Sequence, residues 1–191
     1  KLRQQKQAVI ERQQALQRVE RRIDNRLRQL ESAQHARLDE ITLTRAPACR
    51  LCWIQSSLKI RSSLDMEPPI RRLEETQKDA VVFLGKVGLG ISAERLRRAE
   101  TARYDGIFLL LDQEDLYTGE TLRLPETLCA RLRFRGSHRE AQPRYQTLLR
   151  YIDQHSLRIT GFSREITLID YGVTSDPDKF VTEICIPVAP E

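Results

Sequence analysis

Few residues in this 191-residue chain have the types and spacing for chemistry. Cys49 and Cys52 carry the C-x-x-C spacing of zinc and redox sites. A zinc site needs two more soft ligands at similar local spacing, whereas Cys129 and Cys185 stand isolated in apolar, strand-like runs. If the first segment is extended, residues three apart face opposite ways, which splits the pair. All four read as buried structural thiols. His35, His138 and His155 lie in polar segments without metal spacing, and no Ser/His/Asp set is visible. Gly85, Gly88 and Gly90 make G-x-x-G-x-G, but no phosphate-binding Lys and no preceding strand accompany them, which argues against a P-loop or Rossmann loop. No metal and no cofactor is expected.

What remains is acids and aromatics in strand-like segments: Glu165, Glu183, Tyr104, Phe134, Phe180 and the only tryptophan, Trp53. A buried carboxylate among ring faces suits a lipophilic cation. Such ions shed water cheaply, and each ring quadrupole attracts them by about 0.5–2 kcal/mol. An unpaired buried carboxylate is costly, so it finds a donor or a proton until a cation arrives. From strand position alone the aromatics also read as core, and Glu165 as an exposed strand residue.

These side chains need a scaffold. Leu2, Val9, Leu16, Ile23 and Leu30 recur every seven residues, among good helix formers and without Gly or Pro before Pro47. That narrow seam is the signature of a coiled coil. Residues 31–40 read as a polar hinge. The rest alternates in type: a short strand at 41–44, strand-rich 49–60, a helix over 70–84 entered through Pro68 and Pro69, and a strand at 103–111. A strand at 126–134 follows, then a helix over 143–155 striped by Tyr145, Leu148, Leu149 and Ile152, and closing strands at 157–170 and 180–188. Strand, helix, strand, strand is thus given twice, at 41–111 and 126–188. Two such units joined edge to edge leave a cleft between them, where pockets tend to lie. The expected fold is α+β: a dimerisation helix at 1–36 and an antiparallel-sheet domain at 37–191.

Residues 1–34 hold nine Lys/Arg against four Asp/Glu, a balance of +5 that equals the net charge of the whole chain. The body is therefore neutral, which argues against a nucleic-acid groove on it. No run approaches the roughly 20 apolar residues of a membrane span. The opening residues are charged and Gln-rich, so a soluble, cytoplasmic protein is expected. A helical pattern already runs at Lys1 without a cap, and we read the chain as a fragment that something precedes.

The stretch REITLIDY at 164–171, a short turn, and DKFVTEICIPV at 178–188 resemble the end of gyrase-inhibitor-like effector-binding domains. With a heptad helix in front, the chain is similar to the multidrug-sensing branch of MerR-family transcription regulators. The resemblance implies a DNA-reading winged helix-turn-helix domain ahead of this segment and an antiparallel coiled-coil homodimer. It also implies promoter DNA and RNA polymerase as partners of the full-length protein. The ligand it implies is a bulky, lipophilic, cationic drug. It places Glu165 as the pocket acid, Tyr104 as a pocket tyrosine, and Phe134 and Phe180 where relatives carry tyrosine. Pro68 to Ile70 fall on a pocket wall that relatives build from polar and aromatic residues. Trp53 is added as a candidate wall on its strand position alone. The competing reading is a small hydrolase of strained lipophilic electrophiles, using Glu165 as base and Tyr104 as donor.

Overall fold

The computed structural model describes residues 1–60, 65, 67–68, 71, 86–112, 115, 117 and 119–191. Helix α1 (Leu2–Gln34) runs for 33 residues, as its Gln, Arg, Glu and Leu content favours. Nine strands are described beyond it. They are β1 (Ile41–Ala46), β2 (Cys49–Leu58), β3 (Val87–Gly90), β4 (Tyr104–Leu111), β5 (Leu122–Leu124), β6 (Thr127–Arg135), β7 (Leu157–Ile159), β8 (Arg164–Ile169) and β9 (Val181–Pro190). Two further helices are α2 (Ala93–Arg97) and α3 (Ala141–Gln154). The fold is α+β. The helix expected over 70–84 lies outside the described residues, except that Glu67, Pro68 and Arg71 are helical.

The sheet runs β1-β6-β9-β8-β3-β4-β2-β5, with β7 added to β9, and every pairing is antiparallel. This order is symmetric about the β8–β3 seam. Outward from it, β9, β6 and β1 mirror β4, β2 and β5. The duplication is there, but its boundary shifts. β1 does not open the first unit; it crosses over to pair with β6 at the edge of the second, and β5 takes the equivalent edge beside β2. A short strand's alternation is the same on either edge, so its sequence does not name its partner.

Two other expectations change. Gly88 and Gly90 do not break the chain but lie within β3. A Cβ on Gly88 would come within 2.6 Å of the Glu165 carbonyl, and one on Gly90 within 2.7 Å of the Trp53 ring. Residues 157–170 are two strands, because the chain turns away at Thr160, where the amide bonds Pro187, and re-enters after the Ser163 amide bonds Ile91.

Apolar side chains cover both faces of the sheet. On one, Tyr145, Leu148 and Ile152 of α3 pack over Ala130, Leu132, Phe134, Ile184 and Ile186. On the other, Leu30 and Ala33 of α1 pack over Leu51, Phe108, Ile166, Leu168 and Val181. Ion pairs fasten α1 to the body: Arg22 to Asp115 at 2.9 Å and Arg26 to Asp170 at 3.8 Å, with Lys86 also on Asp115 at 3.1 Å. Residues 31–40 are not a hinge. Arg133 donates to the Ser32 carbonyl at 2.6 Å and pairs with Glu183 at 2.6 Å, while the Asp39 amide bonds the Arg133 carbonyl at 2.7 Å. The heptad seam is therefore divided. Its last turns dock on the body, whereas Leu2, Val9, Leu16 and Ile23 stay between 55% and 82% exposed. Among the described residues no helix is long and apolar enough to cross a membrane.

Candidate ligand-binding site

Strand alternation in β8 decides where its acid goes. Ile166 and Leu168 face α1, so Glu165 and Thr167 face the α3 side. Glu165 also sits at the seam of the two halves, opposite Leu89 of β3. It is wholly buried. The Tyr104 hydroxyl, from the start of β4, donates to both carboxylate oxygens at 3.0 and 2.9 Å. The His138 ring Nδ1 lies 2.6 Å from Oε1. Tyr145 of α3 stands beside them and hydrogen-bonds Ser163 at 2.9 Å, and Ser163 accepts the Ile91 amide at 3.0 Å. Burial, and then the nearby carboxylate, push both tyrosine hydroxyls far above their ordinary range. They stay protonated and act as neutral donors.

A cavity of about 670 Å³ opens next to this cluster. Its described walls include Ile60, Val87, His138, Thr167, Tyr171 and Phe180. Phe180 meets Tyr171 edge to face at 4.7 Å, so the aromatic wall comes from the β8–β9 connection. Glu165 itself is not on the wall; the His138 side chain, 12% exposed, stands between it and the cavity. The imidazole's Nε2 reaches Thr167 at 3.4 Å.

The structure brings Glu165 and Tyr104 into direct contact and puts Phe180 on the cavity wall. It buries Phe134 completely in the α3-side core, with the Arg144 guanidinium 5.8 Å over its ring. Trp53 goes elsewhere: it shares the face with α1, stacked on Phe108 and tilted against Phe162, where Gly90 and Gly106 leave it room. Ile70 lies outside the described residues. Glu183, the rival acid, pairs with Arg133. Sequence reasoning missed His138, Tyr145 as a polar partner, Ser163 and Tyr171. In sequence His138 fits neither a metal spacing nor a Ser/His/Asp set. The S-x-x-E capping box of Ser137 and Glu140, which is present, would have marked its turn as a fixed one.

The model of the GyrI-like small molecule binding domain matches residues 69–189. The chain belongs to the GyrI-like family. No curated protein sequence matches it. Among solved structures, the GyrI-like chain is similar to the EcmrR C-terminal domain, at 14% identity and TM-score 0.60, covering 80% of this chain and 98% of that one. It is also similar to EcmrR in an EcmrR–DNA complex, at 15% identity and TM-score 0.65, covering 100% of this chain and 72% of the other. A third likeness is to an uncharacterized conserved protein from Listeria innocua, at 14% identity and TM-score 0.51, covering 83% of this chain and 97% of that one. At these identities the likeness is one of fold.

The GyrI-like domain also gathers thiols that looked isolated. Arg164, pointing away from Glu165, donates to Cys49 at 3.2 Å, Cys129 at 3.7 Å and Cys185 at 3.8 Å. Cys52 faces the other way and bonds Tyr117 at 2.9 Å, so the C-x-x-C pair is split across the sheet.

Proposed function

We propose that this chain is the ligand-sensing and dimerising part of a MerR-type transcription regulator, and that bulky lipophilic cations bind in the cavity beside Glu165. The observation that carries this reading is a wholly buried carboxylate at the seam of a GyrI-like domain, met by the Tyr104 hydroxyl and the His138 ring next to a 670 Å³ aromatic-walled cavity. Among the described residues no Lys or Arg pairs with Glu165. No Lys or Arg side chain of those residues thus competes with a positive ligand there, and aromatic faces hold diffuse charge with few directional demands. The exposed seam on α1 supports a second copy of the chain as partner. The fold likeness to EcmrR in its DNA complex extends over the whole chain, α1 included, and supports a regulator that reaches promoter DNA as a full-length protein. The hydrolytic reading fits less well, since Tyr104 and His138 occupy both carboxylate oxygens and, among the described residues, no other base touches the acid.

The test is calorimetric titration of tetraphenylphosphonium and the neutral triphenylphosphine oxide against wild type, Glu165→Gln and Glu183→Gln. Glu165→Gln keeps the shape and removes the charge. It is expected to weaken the cation by about 1–3 kcal/mol, the range of a charge-assisted contact, and to leave the neutral compound unchanged. Glu183→Gln is expected to change neither. Equal weakening of both ligands by Glu165→Gln would make that residue structural.

A further inference from the structure

The buried acid is not open to the cavity. A ligand approaching from the 670 Å³ space meets the His138 imidazole first, and the imidazole already holds Oε1 at 2.6 Å. We propose that His138 is a tethered stand-in for the ligand's positive group: it occupies the seat on Glu165 in the empty protein, and a cation must displace it to bind. This rests on Glu165 being the cation's partner.

The geometry around His138 suits displacement of the side chain alone. Its backbone is fixed. Gly136, at φ +121°, turns the chain out of β6, and the Gly136 amide bonds the Phe180 carbonyl at 2.9 Å. Ser137 and Glu140 then close a reciprocal cap, with the Ser137 amide and hydroxyl both bonded to Glu140 at 2.8 Å. The imidazole is held more lightly. Among the described residues, one short contact joins it to Glu165 and one long contact to Thr167 at 3.4 Å, and the side chain borders the cavity. Thr167 does not depend on it, because its hydroxyl also meets Thr182 at 3.0 Å, and Thr182 bonds the Gly136 carbonyl at 2.7 Å. Swinging the ring into the cavity therefore breaks two side-chain contacts and leaves the turn intact. The vacated oxygen keeps its Tyr104 donor, so Glu165 is not stranded while the ligand enters.

The charges around the cavity do not supply this selection by themselves. Arg135 and Arg139 border it together with Glu140, Asp170 and Asp178, a mixed set on the rim. The acid behind His138 is the one carboxylate among the described residues that is both fully buried and adjacent to the cavity, where an opposite charge gains most. The occupied seat then acts as a threshold. A neutral lipophile gains nothing by moving the imidazole, whereas a permanent cation replaces it with a stronger partner. The apparent affinity for cations is reduced by the fraction of molecules in which the seat is filled.

The experiment titrates tetraphenylphosphonium, its isosteric anion tetraphenylborate and triphenylphosphine oxide against four forms of the chain: wild type, His138→Ala, Glu165→Gln and the double variant. His138→Ser is included because it keeps a short polar group in the turn, too short to take the seat, if the alanine form does not fold. Emptying the seat is expected to tighten tetraphenylphosphonium about tenfold in either His138 variant and to leave the neutral compound unchanged. The borate is expected not to tighten. The gain should vanish in the double variant. If His138→Ala and His138→Ser weaken or do not change the cation while Glu165→Gln still discriminates by charge, His138 is not a stand-in, and the reading of Glu165 survives. If Glu165→Gln never discriminates by charge, that reading falls first and takes this proposal with it.

Discussion

Glu165 and Arg164 are adjacent in sequence and opposite in surroundings, because a strand sends neighbours to opposite faces. On the α3 side the carboxylate is met by phenols and an imidazole; on the other the guanidinium is met by sulfur. That second cluster has its own chemistry. A hydrogen bond from Cys185 lowers the Cys129 thiol, burial raises it, and the Arg164 charge lowers it again, leaving it at about 7. The same bond pushes Cys185 well up. Ultraviolet thiolate absorbance followed against pH is expected to show a step near pH 7. Cys129→Ser together with Cys185→Ser should abolish that step, and Cys52→Ser should keep it. A first step only at the ordinary thiol value of about 8.5 would contradict the cluster. None of this was legible from spacing, since Cys49, Cys129 and Cys185 come from three strands that only the folded sheet brings together. The Glu165–Tyr104 contact spans 61 residues. Local pattern left both as ordinary strand residues, and the family resemblance singled them out. Trp53 shows the limit of strand position as a guide. Its segment was read correctly as a strand, but which face met the cavity was not encoded locally.

At the scale of elements, β3 is the place where the two halves meet. Gly88 and Leu89 pair with Ile166 and Glu165, and the bare Gly88 Cα lets Phe108 and β8 approach. Gly88→Ala places a methyl group 2.6 Å from the Glu165 carbonyl and 2.8 Å from the Ile166 side chain. Neither the backbone nor the core can yield cheaply. Destabilisation by about 1–3 kcal/mol is expected from such overpacking, read as a lower midpoint in urea. Gly161→Ala is the control, as its added methyl meets only the Pro187 side chain, at 3.3 Å. If the two variants melt alike, the seam is looser than the contacts imply. The sequence suggested a break here because glycines interrupt a helical pattern. The physical reason for them is close approach of neighbouring rings, which a linear pattern does not carry. By contrast β4, β6, α3 and β9 were legible to within a few residues, because each carries a full apolar face at its own period.

In the whole molecule, α1 was also legible, but its seam is divided between the body and solvent. Leu30 and Ala33 close the body's second core, and Leu2 to Ile23 are left uncovered. An uncovered heptad seam calls for a second helix. Sedimentation velocity is expected to show a dimer that Leu16→Asp with Ile23→Asp dissociates, while circular dichroism of the body stays intact because neither residue belongs to its core. A dimer indifferent to the double substitution would place the interface elsewhere. The attachment of α1 has a mechanical consequence. Arg133 grips the helix end through Ser32, Arg26 and Arg22 hold it about two and three turns back, and Arg26 does so through Asp170, which borders the cavity. A rod of 33 residues is about 50 Å long. Tilting its gripped end by about 5° sweeps the free end through about 4 Å over that length. The lever arm turns a tilt too small to disturb the sheet into a far larger displacement at the free end of the rod.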